Sequence, residues 1–175
     1  MASEGTTDKF RLGFLTAIEV PSKGFVGGLL VTNHFGRPLE FQCTNPVKPN
    51  RTQEILYGPT LQTYVLSELI GRTLIEKVGV KPNLVLIDDI QMLDLKNHVP
   101  TPIAQINEKE EQSDLVFSLK VGRQFLRLDV AHLADKTKIT KGTSAIPTDA
   151  NLNEPFERVR EALTETLGAG VTRAA

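Results

Sequence analysis

Three carboxylates stand where a folded chain would put them to chemical use. Glu19 lies near the end of residues 13–20, a stretch that alternates as a strand does, and Asp88 and Asp89 close the apolar run 84–87. In open α/β sheets, ligands collect at the carboxyl ends of the strands. A pair of acids at that position is the most suggestive chemistry in the chain. The plain alternative is structural: Glu19 as an exposed residue at a strand end, with Asp88 and Asp89 capping the turn that follows.

The elements that must position these acids are marked by turn signals and periodicity. Leu84 to Ile87 are four consecutive apolar residues after the turn VKPN, the pattern of a strand buried on both faces in a central, parallel position. Before it, residues 59–79 read as a helix with Thr60 as its cap and Gly79 and Pro82 as its stop. That helix is apolar around most of its circumference. Leu61, Val65 and Leu69 form one row, and Leu66, Ile70, Leu74 and Val78 another. Glu68, Arg72 and Glu76 leave only a narrow charged stripe. Thr63, Ser67 and Gly71 form a row of small residues, which marks a place where another backbone comes close.

Along the chain, residues 1–11 read as a loose tail and 12–168 as one globular domain, with 169–175 a second tail. Residues 13–20, 25–32 and 39–44 are three strands with short connections, hence an antiparallel meander. On the first, Leu15, Ala17 and Glu19 point one way and Phe14, Thr16, Ile18 and Val20 the other. Gly27 and Gly28 within the second mark a bulge or a close backbone approach. Residues 45–58 are a connection, 90–102 a loop, and 103–106 a short extended piece. Residues 107–114 are a solvated charge run. Residues 115–121 and 124–130 form a hairpin about Gly122 and Arg123. Residues 135–151 are an exposed linker before a last helix, which starts near Asn153 and stops at Gly168 or Gly170. Its apolar stripe, Leu152, Phe156, Val159, Leu163 and Leu167, faces one partner surface.

Composition excludes more than it assigns. A net charge of −1 offers no global electrostatic case for nucleic acid or an anionic membrane. With Cys43 the sole cysteine, there is neither an internal disulfide nor a cysteine cluster for zinc, and Cys43 reads as a small buried apolar residue. No hydrophobic signal segment or membrane-spanning run occurs, so a cytoplasmic, reducing compartment is expected. His34, His98 and His132 share no metal-ligand spacing and read as surface or loop residues. LVLIDDIQML is similar to the Walker B strand of replication-initiator ATPases. The glycine-rich Gly-Lys-Ser/Thr loop that must accompany it is absent.

The order of elements carries the wider resemblance. A strand bearing Glu19, two more strands, a helix, and a strand ending in Asp88 and Asp89 resemble the ribonuclease H-like fold of the endonuclease V type, over about residues 12–90. The resemblance implies that the first strand and the strand after the helix lie side by side in parallel, each carrying an acid. It also implies that Glu19 and Asp88 hold a divalent ion, magnesium or manganese, that activates water and stabilises the leaving oxygen, with Asp89 a further catalytic candidate. The chain departs from the pattern: the first acid is Glu rather than Asp, and no glycine-rich segment follows Asp88. A third acid must be sought among Asp129, Glu157 and Glu161.

The expected architecture is therefore α/β, with α+β the variant. It comprises a mixed sheet with an N-terminal meander, a central helix, a parallel strand and a docked C-terminal helix. Two functions follow. The first is a non-catalytic interaction or accessory module with no certain cofactor, whose protein partner docks through the C-terminal helix. The alternative is a metal-dependent nuclease acting on DNA or RNA through Glu19, Asp88 and Asp89. Nucleic acid is a partner only under that alternative.

Overall fold

The computed structural model describes residues 10–111 and 113–174, so most of the expected N-terminal tail lies outside the described residues. Seven strands are named in chain order. They are β1 (Leu12–Val20), β2 (Gly24–Thr32), β3 (Pro38–Cys43), β4 (Leu84–Ile87), β5 (Ile103–Asn107), β6 (Val116–Val121) and β7 (Gln124–Asp129). They form one mixed sheet in the order β3-β2-β1-β4-β5-β7-β6. The first three make the expected antiparallel meander. β4 lies parallel beside β1, from Leu12 opposite Leu84 to Leu15 opposite Ile87. A strand-helix-strand return is the connection that gives this pairing. β5 continues in parallel, and the β6–β7 hairpin, turning on Gly122 at a φ of 58°, closes the far edge antiparallel.

Both faces of the sheet are covered, which is why all four residues of β4 are buried. One face packs against the helical run between Arg51 and Lys77 and a 3₁₀ segment, Ile90–Asn97. The run begins as α1 (Arg51–Tyr57), passes through a 3₁₀ turn (Gly58–Thr60) and α2 (Leu61–Thr63), and widens into a π-helix (Tyr64–Arg72). It ends as α3 (Thr73–Lys77). The expected start at Thr60 is therefore corrected. The cap is Asn50, whose side chain accepts from the Gln53 amide at 2.8 Å, while the Gln53 side chain accepts from the Asn50 amide at 3.0 Å. Thr60 instead donates its hydroxyl to the Tyr57 carbonyl at 2.6 Å. α1 buries none of its residues, so no apolar period announced it. The small-residue row behaves as expected at Ser67, which donates to the Gln91 carbonyl of the 3₁₀ segment at 3.0 Å.

The opposite face is covered by α4 (Lys136–Thr143) and α5 (Glu154–Ala174). Phe156, Val159 and Leu163 of α5 are buried, and Phe156 meets Phe14 edge-on, the ring centroids 5.4 Å apart. The helix runs past Gly168 to Ala174, so residues 169–174 are helical rather than a tail. The stretch expected as an exposed linker contains α4, which buries Ile139 and Thr143, with Ile146 buried just beyond it. Only two of its apolar residues reach the core, too few to show a period.

Gly27 and Gly28 pair in regular register with Ala17 and Thr16, and the irregularity in β2 falls instead between Val31 and Thr32. Their reason is space on the two faces. A Cβ on Gly27 would lie 2.0 Å from Ile70 Cγ2 of the π-helix, and one on Gly28 2.8 Å from Val159 Cγ1 of α5. Gly27→Ala is expected to destabilise by about 1–3 kcal/mol through overpacking, and Leu163→Ala by about 2–5 kcal/mol through a cavity. The exposed Glu165→Ala should leave the chemical-denaturation midpoint unchanged. A Gly27→Ala protein as stable as the wild type would show that the helix–sheet spacing is softer than this packing implies.

Candidate functional site

The register of β1 against β4 sets the geometry at their carboxyl ends. One step past the Leu15–Ile87 pair, Thr16 faces Asp88, and the Thr16 hydroxyl donates to Asp88 Oδ2 at 3.1 Å. From the helix across that face, Arg160 of α5 donates through Nη2 to the same carboxylate oxygen. The Asp88 side chain retains 19 % exposure and Arg160 44 %. Burial pushes the Asp88 carboxyl above its ordinary range, against the opposing pull of the Thr16 hydrogen bond and the Arg160 charge. Asp89, still extended, accepts the Gln91 amide at 2.9 Å and caps the 3₁₀ segment.

Glu19 shares a cleft of about 530 Å³ with Thr16, Asp88, Asp89, Gln105 and Arg160. It does not share a side of the sheet with Asp88. Strand side chains alternate, so Thr16 projects toward α5 and Glu19 toward the π-helix, like Leu15 and Ala17. Glu19 also lies three residues beyond Thr16, roughly 10 Å farther along the strand. The structure thus brings the three expected site residues into one cleft but does not converge them on one point. Glu19 is exposed at the rim, Asp88 is engaged by Thr16 and Arg160, and Asp89 is engaged by a backbone amide. Of the third-acid candidates, Glu157 and Glu161 are exposed on α5 and Asp129 ends β7, and none of them lines the cleft.

Two features escaped sequence reasoning. Arg160 carries no local signal, because its partner is 72 residues away. The second is a grouping on the π-helix side, outside the cleft. Glu68, Asp94 and His98 each bring one ligand atom within 4.8 Å of the others, the one such set of three among the described residues. The i,i+4 spacing of Asp94 and His98 was the available clue, obscured because residues 90–102 read as a loop. His98 is thus a clustered histidine rather than a simple loop residue. His34 does sit in a turn, its ring 4.0 Å from that of Phe35, and the His132 side chain lies outside the described residues. No helix among the described residues is long and apolar enough to cross a membrane.

No family model matches the sequence, and no curated protein matches it. Solved structures do. Human endonuclease V aligns over 93 % of this chain and 87 % of its own, at 14 % identity and a TM-score of 0.50. A Ciona intestinalis endonuclease V, solved with DNA containing inosine, aligns over 90 % of this chain and 86 % of its own at 12 % identity and a TM-score of 0.44. The mixed seven-stranded sheet with helices on both faces is the ribonuclease H-like fold that the human endonuclease V structure also has.

Asp88 offers a titration test. A carboxyl whose pKa is raised on folding favours the folded state below its unfolded value and loses that contribution as pH rises through the folded value. The Asp88 anion is therefore a net cost at neutral pH. Asp88→Asn should melt at or above the wild-type temperature at pH 7, with the difference shrinking toward pH 4. A variant that melts clearly lower at pH 7 would show that the Arg160 ion pair outweighs the burial.

Proposed function

We propose that this chain acts on nucleic acid as a protein of the nuclease type, working at the cleft lined by Glu19, Asp88, Asp89 and Arg160. The observation that carries this reading is the position of Asp88. It is a part-buried carboxylate at the carboxyl end of β4, beside β1, on a scaffold shared with endonuclease V structures. Ligands of open α/β sheets gather at this end of the strands. Arg160 is the basic residue lining the cleft, and a guanidinium forks well onto phosphate oxygens. A backbone phosphate entering the cleft would compete with Asp88 for Arg160 and free the carboxylate.

The donors as they stand do not fit magnesium or manganese. Such an ion takes several oxygens at about 2.0–2.1 Å. Here the Asp88 oxygen is held by an arginine, Asp89 by an amide, and Glu19 projects from the other side of the sheet.

That same arrangement favours a second reading, in which the cleft binds nucleic acid without cutting it. Arg160 supplies the positive charge that a metal ion would otherwise bring to Asp88.

One experiment separates the two. Single- and double-stranded DNA and RNA are incubated with manganese and the wild type, Asp88→Asn, Glu19→Gln or Arg160→Ala, and binding is followed in parallel. For a nuclease, cleavage is expected in the wild type and lost in Asp88→Asn and Glu19→Gln. Binding without cleavage, weakened several-fold in Arg160→Ala, establishes the binding module. Neither binding nor cleavage in any protein would overturn both.

A further inference from the structure

The grouping of Glu68, Asp94 and His98 lies outside the cleft that Glu19, Asp88 and Arg160 line. Glu68 comes from the π-helix, Asp94 from the 3₁₀ segment packed against it, and His98 is the residue that caps the end of that segment. π-helical winding is rare and recurs at functional sites. Here it carries Glu68 to His98 across the seam between two segments. His98 Nε2 lies 3.0 Å from Asp94 Oδ2 and 3.5 Å from Glu68 Oε1. Ligands about 2.0–2.2 Å from a shared zinc ion sit roughly 3.0–3.4 Å from one another in octahedral or tetrahedral arrangements. The two separations to His98 fall close to that range before any ion enters, and the two carboxylates bring oxygens within 4.8 Å of each other.

The support around the group fits the same purpose. Asn97 Nδ2 donates to Asp94 Oδ1 at 2.9 Å, which orients the carboxylate and leaves Oδ2 toward His98. Outer hydrogen bonds of this kind orient metal ligands. Arg72, one helical turn from Glu68, is held by Glu76 at 2.9 Å and also feels the Glu68 charge. The three side chains are 37 % (Glu68), 40 % (Asp94) and 23 % (His98) exposed, open enough for an ion and its waters to enter. The competing arrangement is a histidine hydrogen-bonded between two carboxylates, which needs no ion.

We propose that Glu68, Asp94 and His98 form a site for a divalent transition-metal ion, zinc above all. Imidazole with two carboxylates suits zinc, cobalt or manganese better than magnesium, which prefers oxygen ligands alone. Three protein ligands leave at least one position to water. The ion would staple the π-helix to the 3₁₀ segment that starts from Asp89, and so fix the helical wall of the cleft. The site does not depend on what the cleft does.

Zinc alone is the probe, titrated calorimetrically into the full chain, with cobalt absorbance as a second readout. One zinc per chain is expected, with a raised melting temperature. Affinity should fall at least about tenfold in His98→Ala and in Glu68→Gln, and measurably in Asn97→Ala. Asp88→Asn should still bind one zinc, which separates this site from the cleft. Circular dichroism on each variant establishes that it is folded, and His98→Gln replaces His98→Ala if the latter is not. Failure of the wild type to bind zinc would overturn the proposal. So would binding that survives unchanged in both folded His98 and Glu68 variants, or binding lost only in Asp88→Asn.

Discussion

The parallel pairing of β1 with β4 is the contact on which the rest of this structure depends. Both strands are buried between helical layers, and neither can shift by one residue without turning its apolar side chains to the wrong layer. Leu12 and Phe14 with Leu84 and Leu86 feed the core under α5, while Leu15 with Val85 and Ile87 feeds the core under the π-helix. The two layers also press on β2 from opposite sides, which leaves Gly27 and Gly28 no room for a side chain. Register, layer spacing and the glycine pair are one constraint seen from three positions.

The same constraint decides the chemistry of the cleft. Once Leu15 is level with Ile87, alternation puts Thr16 opposite Asp88 and turns Glu19 to the other side. An acid on β1 can meet Asp88 only from a position of the Thr16 parity, and that position holds a hydroxyl. α5 then delivers Arg160 onto Asp88 because Phe156, Val159 and Leu163 lock the helix against that face. Asp88 is thus caught between burial, which disfavours its charge, and Thr16 and Arg160, which favour it. A cleft in which the strand-end acid already has a cation differs from one built around several free carboxylates.

On the opposite face, the helical run changes winding where it meets the 3₁₀ segment. Ser67 ties its backbone to Gln91, Gly71 lets Leu95 and Leu15 approach, and Glu68 reaches His98 at the surface. The small-residue row and the charged stripe of this helix therefore serve one contact, its buried side closing the core and its exposed side gathering ligating groups.

The sequence by itself determined the strands, their alternation, the parallel place of β4 and the burial of the α5 stripe. Each of these depends on residues close together in the chain, through a period of two, an unbroken apolar run, or a helical row between turn residues. It also carried the ribonuclease H-like element order and the placing of Glu19, Asp88 and Asp89 near strand ends. It missed the Asn50 start, because α1 buries nothing, and α4, because two core residues make no period. Only the tertiary structure decided which side chains meet. Arg160 reaches Asp88 across 72 residues, and Glu68 reaches a 3₁₀ segment that read as a loop. Such contacts are fixed by register and by the packing of layers, and neither is written in the spacing of neighbouring residues.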